Sequence, residues 1–193
     1  MKGGELKMNR RNFFIVLILL FLVFTLFPFD KAAIATNTDQ FILKSPSFTE
    51  GSMIPKKFTC EGENISPELI WENLPEGTVS LVLICEDPDA PVGIWTHWVL
   101  YNIPAGLHSI PENLNSQEEL ITQEKILTGM NDFKKLGYGG PCPPPGKPHR
   151  YFFRLLALNT KLDQKTGLNR DQVLAAIKGK VIEEAQLVGL YSR

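Results

Sequence analysis

An acidic turn is the first segment whose side chains could do chemistry. Asp87 and Asp89 stand two residues apart in the stretch Asp-Pro-Asp-Ala-Pro, directly after an apolar run. Because prolines fix φ and exclude a helix, both carboxylates are expected on a rigid turn at the end of a strand. His97 follows among tryptophans, where an imidazole could meet these carboxylates. An ordinary turn and a hydrogen-bonded core histidine are the alternative interpretation.

A loop rich in glycine and proline forms the second chemical cluster. It runs from Gly137 to Pro148 and continues into His149, Arg150 and Tyr151 at the start of an apolar segment. Glycines allow a backbone to approach a ligand closely, and prolines stiffen a loop without supplying N–H donors. On a strand, His149 and Tyr151 would share one face and Arg150 would lie on the other. A solvated surface loop is the alternative.

The remaining patterns predict the elements that must position these side chains. Strands are predicted where β-branched and aromatic residues lie between turn residues, at 41–43, 69–71, 79–85, 96–101 and 151–158. A helix is predicted from Arg170 to Leu187, because apolar residues recur there at steps of three and four. Residues 112–119 predict a loop or a short surface helix. The sum is a mostly β domain with a C-terminal helix.

The first 35 residues have the layout of a secretory signal peptide. Basic residues precede an apolar run from Phe13 to Phe27, and a small-residue pattern would allow cleavage after Ala35. The run is shorter than the roughly 20 residues of a membrane-spanning helix, but it approaches that length when extended to Phe29, so an uncut anchor is the alternative. We expect residues 1–35 to be a signal peptide or N-terminal anchor. Residues 36–193 are expected to form one exported domain, periplasmic or extracellular.

Composition limits the classes of function. The 193 residues include 20 Lys and Arg against 21 Asp and Glu, and 44% are hydrophobic. Five of the bases and two of the acids lie in residues 1–35, which leaves 15 bases and 19 acids in the exported domain. This balance argues against a nucleic-acid partner and leaves the N-terminal segment as the expected membrane contact. The cysteines Cys60, Cys85 and Cys142 contain no CxxC pair for a metal and allow three disulfide pairings.

Taken together, these motifs resemble the phosphatidylethanolamine-binding protein family, in its bacterial branch often described as Raf-kinase-inhibitor-like. The resemblance spans residues 41–193. It rests on Asp-Pro-Asp-Ala-Pro at 87–91, Trp-Thr-His-Trp at 95–98, the glycine- and proline-rich segment ending at Tyr151, and Thr-Cys-Glu-Gly-Glu-Asn-Ile-Ser-Pro at 59–67. It implies a Greek-key β fold of two antiparallel sheets with a C-terminal helix, and a small pocket for a phosphate-like anion.

The resemblance implies seven pocket residues. They are the acidic pair Asp87 and Asp89, the following His97, and Gly140, Pro141, His149 and Tyr151 of the opposite wall. A phosphoryl group needs hydrogen-bond donors, which imidazoles, a tyrosine hydroxyl and a glycine N–H can supply. The acids would orient the imidazoles and raise their pKa, or meet an amine of the ligand. Because Cys142 lies in the pocket loop of an exported protein, we hypothesise a disulfide between Cys60 and Cys142, with two buried thiols as the alternative.

The implied function is binding rather than catalysis. The ligand would be a small anion such as phosphate or phosphoethanolamine, and no cofactor is expected. The alternative is an inhibitor of a protease or kinase that acts through protein-protein contact, which an exposed apolar patch beside the pocket would favour. A hydrolase is less favoured, because the sequence contains no GxSxG or HExxH motif. Asp87, Asp89, His97 and His149 could ligate a metal in principle, but the resemblance implies an anion there, so no metal is expected.

Overall fold

The computed structural model describes residues 40–114 and 126–193, so the expected export signal lies outside the described residues. The described part is mostly β. Its strands are β1 (Ile42–Lys44), β2 (Leu69–Glu72), β3 (Ser80–Asp87), β4 (Trp95–Pro104), β5 (Ser109–Ile110), β6 (Leu127–Thr128), β7 (His149–Leu158) and β8 (Val181–Tyr191), and its α-helix is α1 (Arg170–Ala176). In these ranges no helix is long and apolar enough to cross a membrane.

The strands form two antiparallel sheets, as the resemblance implies. The smaller sheet has the order β1-β2-β5, and the larger has the order β6-β4-β3-β7-β8. All eight residues of the central strand β3 are buried, in agreement with the nearly unbroken apolar run from which that strand was predicted. The predicted fold class, mostly β with two antiparallel sheets and a helix, is confirmed.

Alternation along β7 divides its side chains between two hydrophobic cores. Tyr151 and Phe153 join a core shared with Trp71 of the smaller sheet. Leu156, on the opposite face of β7, joins a second core that Val173 of α1 closes. Burial of each large apolar side chain contributes about 1.5–3 kcal/mol. The strand β7, which carries His149 and Tyr151 at its start, is therefore anchored by one core at Tyr151 and Phe153 and by the second core further along.

The helix predicted from Arg170 to Leu187 is wrong in its second half. Asn169 caps α1, because its side chain accepts the backbone N–H of the third helical residue in a capping box. The helix ends before Gly179, which has a left-handed φ of +74°. Beyond this glycine the chain enters β8, where Ala185 and Leu187 are buried two residues apart. Several apolar residues of β8 also recur at steps of three and four, which explains why the sequence pattern predicts a helix that is too long.

Three strands were not predicted. They are β8 and the two-residue strands β5 and β6, which are too short to show a period. The five predicted strands correspond to β1, β2, β3, β4 and β7. Residues 112–114 form a turn and loop, and the rest of the predicted loop or surface helix at 112–119 lies outside the described residues.

Candidate functional site

A β-bulge in β4 positions His97. The pairing of β4 with β3 shifts by one residue between Trp98 and Thr96, so His97 is the extra residue on its strand. Bulges bend a strand and redirect a side chain. The His97 ring packs edge-to-face on Tyr151, with the ring centroids 5.1 Å apart. The irregularity therefore brings a residue of β4 next to one that projects from β7.

Asp87, the last residue of β3, connects the acidic turn to β7. The Nδ1 atom of His149 lies 2.8 Å from Asp87 Oδ2, and it donates to this carboxylate. The backbone N–H of Asp89 donates to Asp87 Oδ1 at 2.8 Å, a local bond that is typical of aspartate in turns. Both carboxylate oxygens of Asp87 thus accept a donor from the protein, which fixes the carboxylate and the His149 ring together.

Asp89 forms a salt bridge instead of lining a cavity. Its two oxygens accept the Nε and Nη2 atoms of Arg150 at 2.9 and 2.8 Å, and the Arg150 backbone N–H donates to it at 2.9 Å. The hydrogen bonds from the Arg150 side chain lower the pKa of Asp89 from 3.8 to about 2. Asp89 therefore ties the turn after β3 to the start of β7.

A cavity of about 200 Å³ opens beside these groups. Its polar lining consists of Asp87, His97, His149 and Tyr151. Its other lining residues are Ala90, Pro91, Val92, Trp95, Phe133, Cys142, Pro143 and Pro144. The structure thus brings four of the seven predicted site residues together, whereas Asp89, Gly140 and Pro141 are not among the described residues that line the cavity.

Gly140 and Pro141 hold two loops together near the cavity. The Gly140 N–H donates to Asn64 Oδ1 at 2.7 Å, so it is engaged by the protein. A Cβ atom at Gly140 would stand 2.4 Å from the Phe58 carbonyl oxygen, so this close approach of backbones requires glycine. The Pro141 carbonyl accepts the Cys60 N–H at 3.1 Å. Both residues therefore support the site from outside its lining.

A disulfide joins the same two loops. Cys60 and Cys142, the pair hypothesised from the sequence, are bonded with their Cα atoms 5.4 Å apart. Cys85 is a buried free thiol. Because Cys142 also lines the cavity, the disulfide is part of its wall.

The hydrogen bond of His97 determines which of its ring nitrogens carries a proton. Nδ1 lies 2.6 Å from the Gly139 carbonyl oxygen, and since a carbonyl only accepts, Nδ1 is the donor. The Gly139 N–H donates in return to the His97 carbonyl at 2.9 Å. Burial lowers the pKa of His97 although the Gly139 carbonyl and the charge of Asp87 act in the opposite direction. The neighbouring carboxylate thus raises the pKa of His97 as expected, but burial outweighs it and the net shift of the His97 pKa is downward.

The Tyr151 hydroxyl is a buried donor that no described residue satisfies at full hydrogen-bond geometry, although the Asp87 carboxylate is close enough to interact with it. Burial raises the pKa of Tyr151, and the charge of Asp87 raises it further, so the phenol stays protonated. A buried polar group that lacks a partner costs about 1–3 kcal/mol. A ligand oxygen in the cavity could accept this hydrogen bond.

Sequence reasoning missed the residues that shape the cavity from other segments. Asn64 has a positive φ of 58° and belongs to the upstream motif, which was its only sequence signal. Phe133 lines the cavity and packs edge-to-face on both Trp95 and His97, with centroids 5.4 Å apart in each case. No local pattern marks Phe133. Across the described ranges, no group of three or more His, Cys, Asp or Glu residues is arranged to hold a metal ion.

Known proteins are similar to this chain in sequence and fold. The family model of the phosphatidylethanolamine-binding protein matches residues 44–192. A UPF0098 protein of Methanothermobacter thermautotrophicus is 49% identical over 151 residues, which cover 78% of this chain and 98% of that protein. A UPF0098 protein of Aquifex aeolicus is 46% identical over 151 residues, covering 77% of this chain and 86% of that protein.

Two crystal structures are also similar. One is a putative phosphatidylethanolamine-binding protein homologue from Chlamydia trachomatis, with a TM-score of 0.72 and 36% identity, covering 80% of this chain and 99% of that chain. The other is YbcL of E. coli, described as a new member of the mammalian PEBP family, with a TM-score of 0.74 and 33% identity, covering 79% of this chain and 98% of that chain.

Proposed function

The chain belongs to the phosphatidylethanolamine-binding protein family, and we propose that it is a binding protein whose cavity takes a phosphate-like anion or a phospholipid headgroup. The observation that carries this proposal is the Tyr151 hydroxyl, which belongs to the cavity lining, is buried, and is satisfied by no described residue at full hydrogen-bond geometry. Such a donor gains most from an acceptor oxygen that a ligand supplies.

The size and lining of the cavity favour a small headgroup. A volume of about 200 Å³ is below the roughly 300–1,000 Å³ of pockets for drug-sized ligands. Trp95 and Phe133 line the same cavity as Asp87, and aromatic faces and carboxylates both attract ammonium groups. Phosphoethanolamine, which carries an amine beside its phosphate, suits this combination.

An NMR titration of the full-length chain with phosphoethanolamine and with inorganic phosphate tests this proposal. We expect shifts at His97, His149 and Tyr151. We expect binding to weaken by at least about tenfold in Tyr151→Phe, because one hydrogen bond to a charged group contributes about 1.5–3 kcal/mol. Tyr101→Phe is the matched control, since its hydroxyl donates to the Lys165 carbonyl and its ring belongs to the core beside α1.

The two variants separate binding in the cavity from a general loss of structure. Tyr101→Phe is expected to bind both ligands as the unaltered chain does, although it loses two internal hydrogen bonds, to the Lys165 carbonyl and from the Leu168 N–H. Equal weakening by Tyr101→Phe and Tyr151→Phe would contradict a role for the Tyr151 hydroxyl. Absence of shifts with millimolar concentrations of both ligands would contradict the proposed function itself.

A second candidate function is inhibition of a protease or kinase through protein-protein contact. The exposed apolar side chains favour it, because Val92 (76% exposed) and Phe133 (38% exposed) line the cavity, and Ile94 (49% exposed) follows Val92 in the chain. We predict that Val92→Ser weakens any inhibition of a serine carboxypeptidase or a kinase, because loss of apolar area weakens association. Val181→Ser, which replaces an exposed residue of β8, is the control. If both variants retain full inhibition, the apolar surface around Val92 does not contact the inhibited enzyme.

We also propose that the chain is exported, with membrane contact only through residues 1–35. The layout of that segment supports export. The disulfide between Cys60 and Cys142 supports it as well, because disulfides persist mainly in oxidising compartments outside the cytosol.

A further inference from the structure

We propose that the cavity selects a singly protonated phosphate, such as the monoanion of a phosphate monoester, whose P–OH group donates to a histidine while another oxygen accepts from Tyr151. This inference rests on the proposed function and adds a chemical class of ligand to it. Phosphate diesters, which include the phosphate of an intact phospholipid, and sulfate esters carry no such proton and would be poor ligands. The proposed function is thereby narrowed to free phosphate monoesters such as phosphoethanolamine.

Both imidazoles of the cavity lining are fixed by hydrogen bonds that they donate from Nδ1. His97 donates from Nδ1 to the Gly139 carbonyl at 2.6 Å, and His149 donates from Nδ1 to Asp87 at 2.8 Å. In the neutral form of either ring, the second nitrogen Nε2 carries no proton and can only accept. Since both rings line the cavity, a ligand that brings its own proton can satisfy such an acceptor.

The neutral form of His97 is favoured by its surroundings. His97 is only 2% exposed, and burial lowers its pKa. The titratable groups around it are Asp87 at the end of β3, Tyr151 on β7 and Asp132 in the segment after β6. The charges of both aspartates favour a protonated ring, yet burial outweighs them. Near neutral pH His97 is therefore an acceptor.

The charge of the cavity lining disfavours a doubly charged ligand. Of the described residues that line the cavity, none is lysine or arginine, and Asp87 is the one carboxylate. The nearby guanidinium of Arg150 is held by Asp89. A doubly charged phosphate would meet the negative charge of Asp87 without a permanent cation beside it. A monoanion carries half that charge and is repelled less.

Tyr151 supplies a fixed donor. Its phenol stays protonated and no described residue satisfies it at full hydrogen-bond geometry, so it can donate to an acceptor oxygen of a ligand. The cavity thus combines the Tyr151 donor with the Nε2 acceptor of a neutral His97. A phosphate monoester monoanion has both complementary groups, whereas a diester or a sulfate ester has acceptors only.

Binding of four small probes to the full-length chain tests the inference. The probes are methyl phosphate, methylphosphonate, dimethyl phosphate and methyl sulfate. We expect the affinity for methyl phosphate to fall about tenfold per pH unit above its second pKa of about 6, as the competent fraction of the ligand falls. Methylphosphonate has a higher second pKa, so its affinity should fall at a correspondingly higher pH. Dimethyl phosphate and methyl sulfate should bind at least tenfold more weakly than methyl phosphate near pH 5.5.

The pH at which methyl phosphate and methylphosphonate each lose affinity separates titration of the ligand from titration of the protein. If methyl phosphate and methylphosphonate lose affinity at the same pH, a group of the protein controls binding and the inference is wrong. Dimethyl phosphate that binds as tightly as methyl phosphate would also overturn it. In both cases binding itself persists, so the proposed function stands. Absence of binding by all four probes and by inorganic phosphate at every pH would instead contradict the proposed function.

The variant Tyr151→Phe tests which side chain causes the preference for methyl phosphate over dimethyl phosphate. This variant should weaken the binding of all four probes by a similar factor and leave their order unchanged, because Tyr151 donates to any oxyanion. A variant in which methyl phosphate loses its preference over dimethyl phosphate would show that Tyr151 rather than the imidazoles selects the ligand.

Discussion

Burial of the site residue His97 makes the stability of the folded protein depend on pH. Burial lowers its pKa in the folded protein, whereas in the unfolded chain a histidine titrates near its ordinary value of about 6.5. Between these two pKa values the unfolded state binds more protons than the folded state. The free energy of unfolding contributed by His97 is therefore complete above about pH 6.5 and decreases as the pH falls below it.

We predict that His97→Gln reduces this loss of stability in acid. The amide of glutamine can still donate to the Gly139 carbonyl, but it does not titrate. In urea unfolding between about pH 7.5 and 5.5, the variant should lose less free energy of unfolding than the unaltered chain. The difference in slope is at most about 1.4 kcal/mol per pH unit, the value for one proton.

The exposed His108 provides the control for this measurement. His108→Gln should leave the pH dependence of stability close to that of the unaltered chain. A slope for His97→Gln equal to that of the unaltered chain below pH 6.5 would show that burial does not disfavour the charged imidazole.

At the scale of elements, local periods were predictable from the sequence and contacts between distant segments were not. His149 and Tyr151 lie on one side of β7 because side chains alternate along any strand, which is a purely local rule. The position of His97 depends on a bulge in its pairing with β3, and no residue type in β4 marks that shift. The Gly140 N–H was expected at the ligand, but it donates to Asn64, which lies 76 residues away in the chain.

The C-terminal elements show the same limit. A capping box at Asn169 begins the short helix α1, and the left-handed Gly179 follows its end. The apolar spacing of the sequence nevertheless continues past this glycine. Pairing with β7 decides in favour of a strand, because β8 forms the edge of the larger sheet and matches β7 along almost its whole length. That tertiary contact outweighs the helical propensity of its glutamate and alanine residues.

At the scale of the whole molecule, the disulfide connects segments that are far apart in the chain. Cys60 precedes β2 of the smaller sheet, and Cys142 precedes β7 of the larger sheet, with 82 residues of separation. A cross-link over such a long loop restricts the unfolded chain strongly, and the chain-entropy model gives about 4.5 kcal/mol for a loop of this length. Measured contributions are typically about 2–4 kcal/mol.

We predict that reduction of the disulfide lowers the free energy of unfolding by about 2–4 kcal/mol. The double variant Cys60→Ser, Cys142→Ser should show a similar loss and no further response to dithiothreitol in urea unfolding. Cys85→Ser removes the buried free thiol instead, so this control should still lose stability on reduction. Stability that dithiothreitol leaves unchanged in the unaltered chain, with thiol labelling showing full reduction, would contradict a stabilising cross-link.

The disulfide between Cys60 and Cys142 and the proposed signal cleavage together predict the mass of the exported protein. If export oxidises the chain and a signal peptidase cuts after Ala35, the protein isolated from the exported fraction should have the mass of residues 36–193 less two hydrogens. This expectation follows because Cys85 is buried and unpaired, which leaves one disulfide for the three cysteines. Intact mass spectrometry checks both points at once. Retention of residues 1–35 with the disulfide formed would identify the segment as an anchor, and three free thiols in that fraction would contradict the bond on which the cavity wall depends.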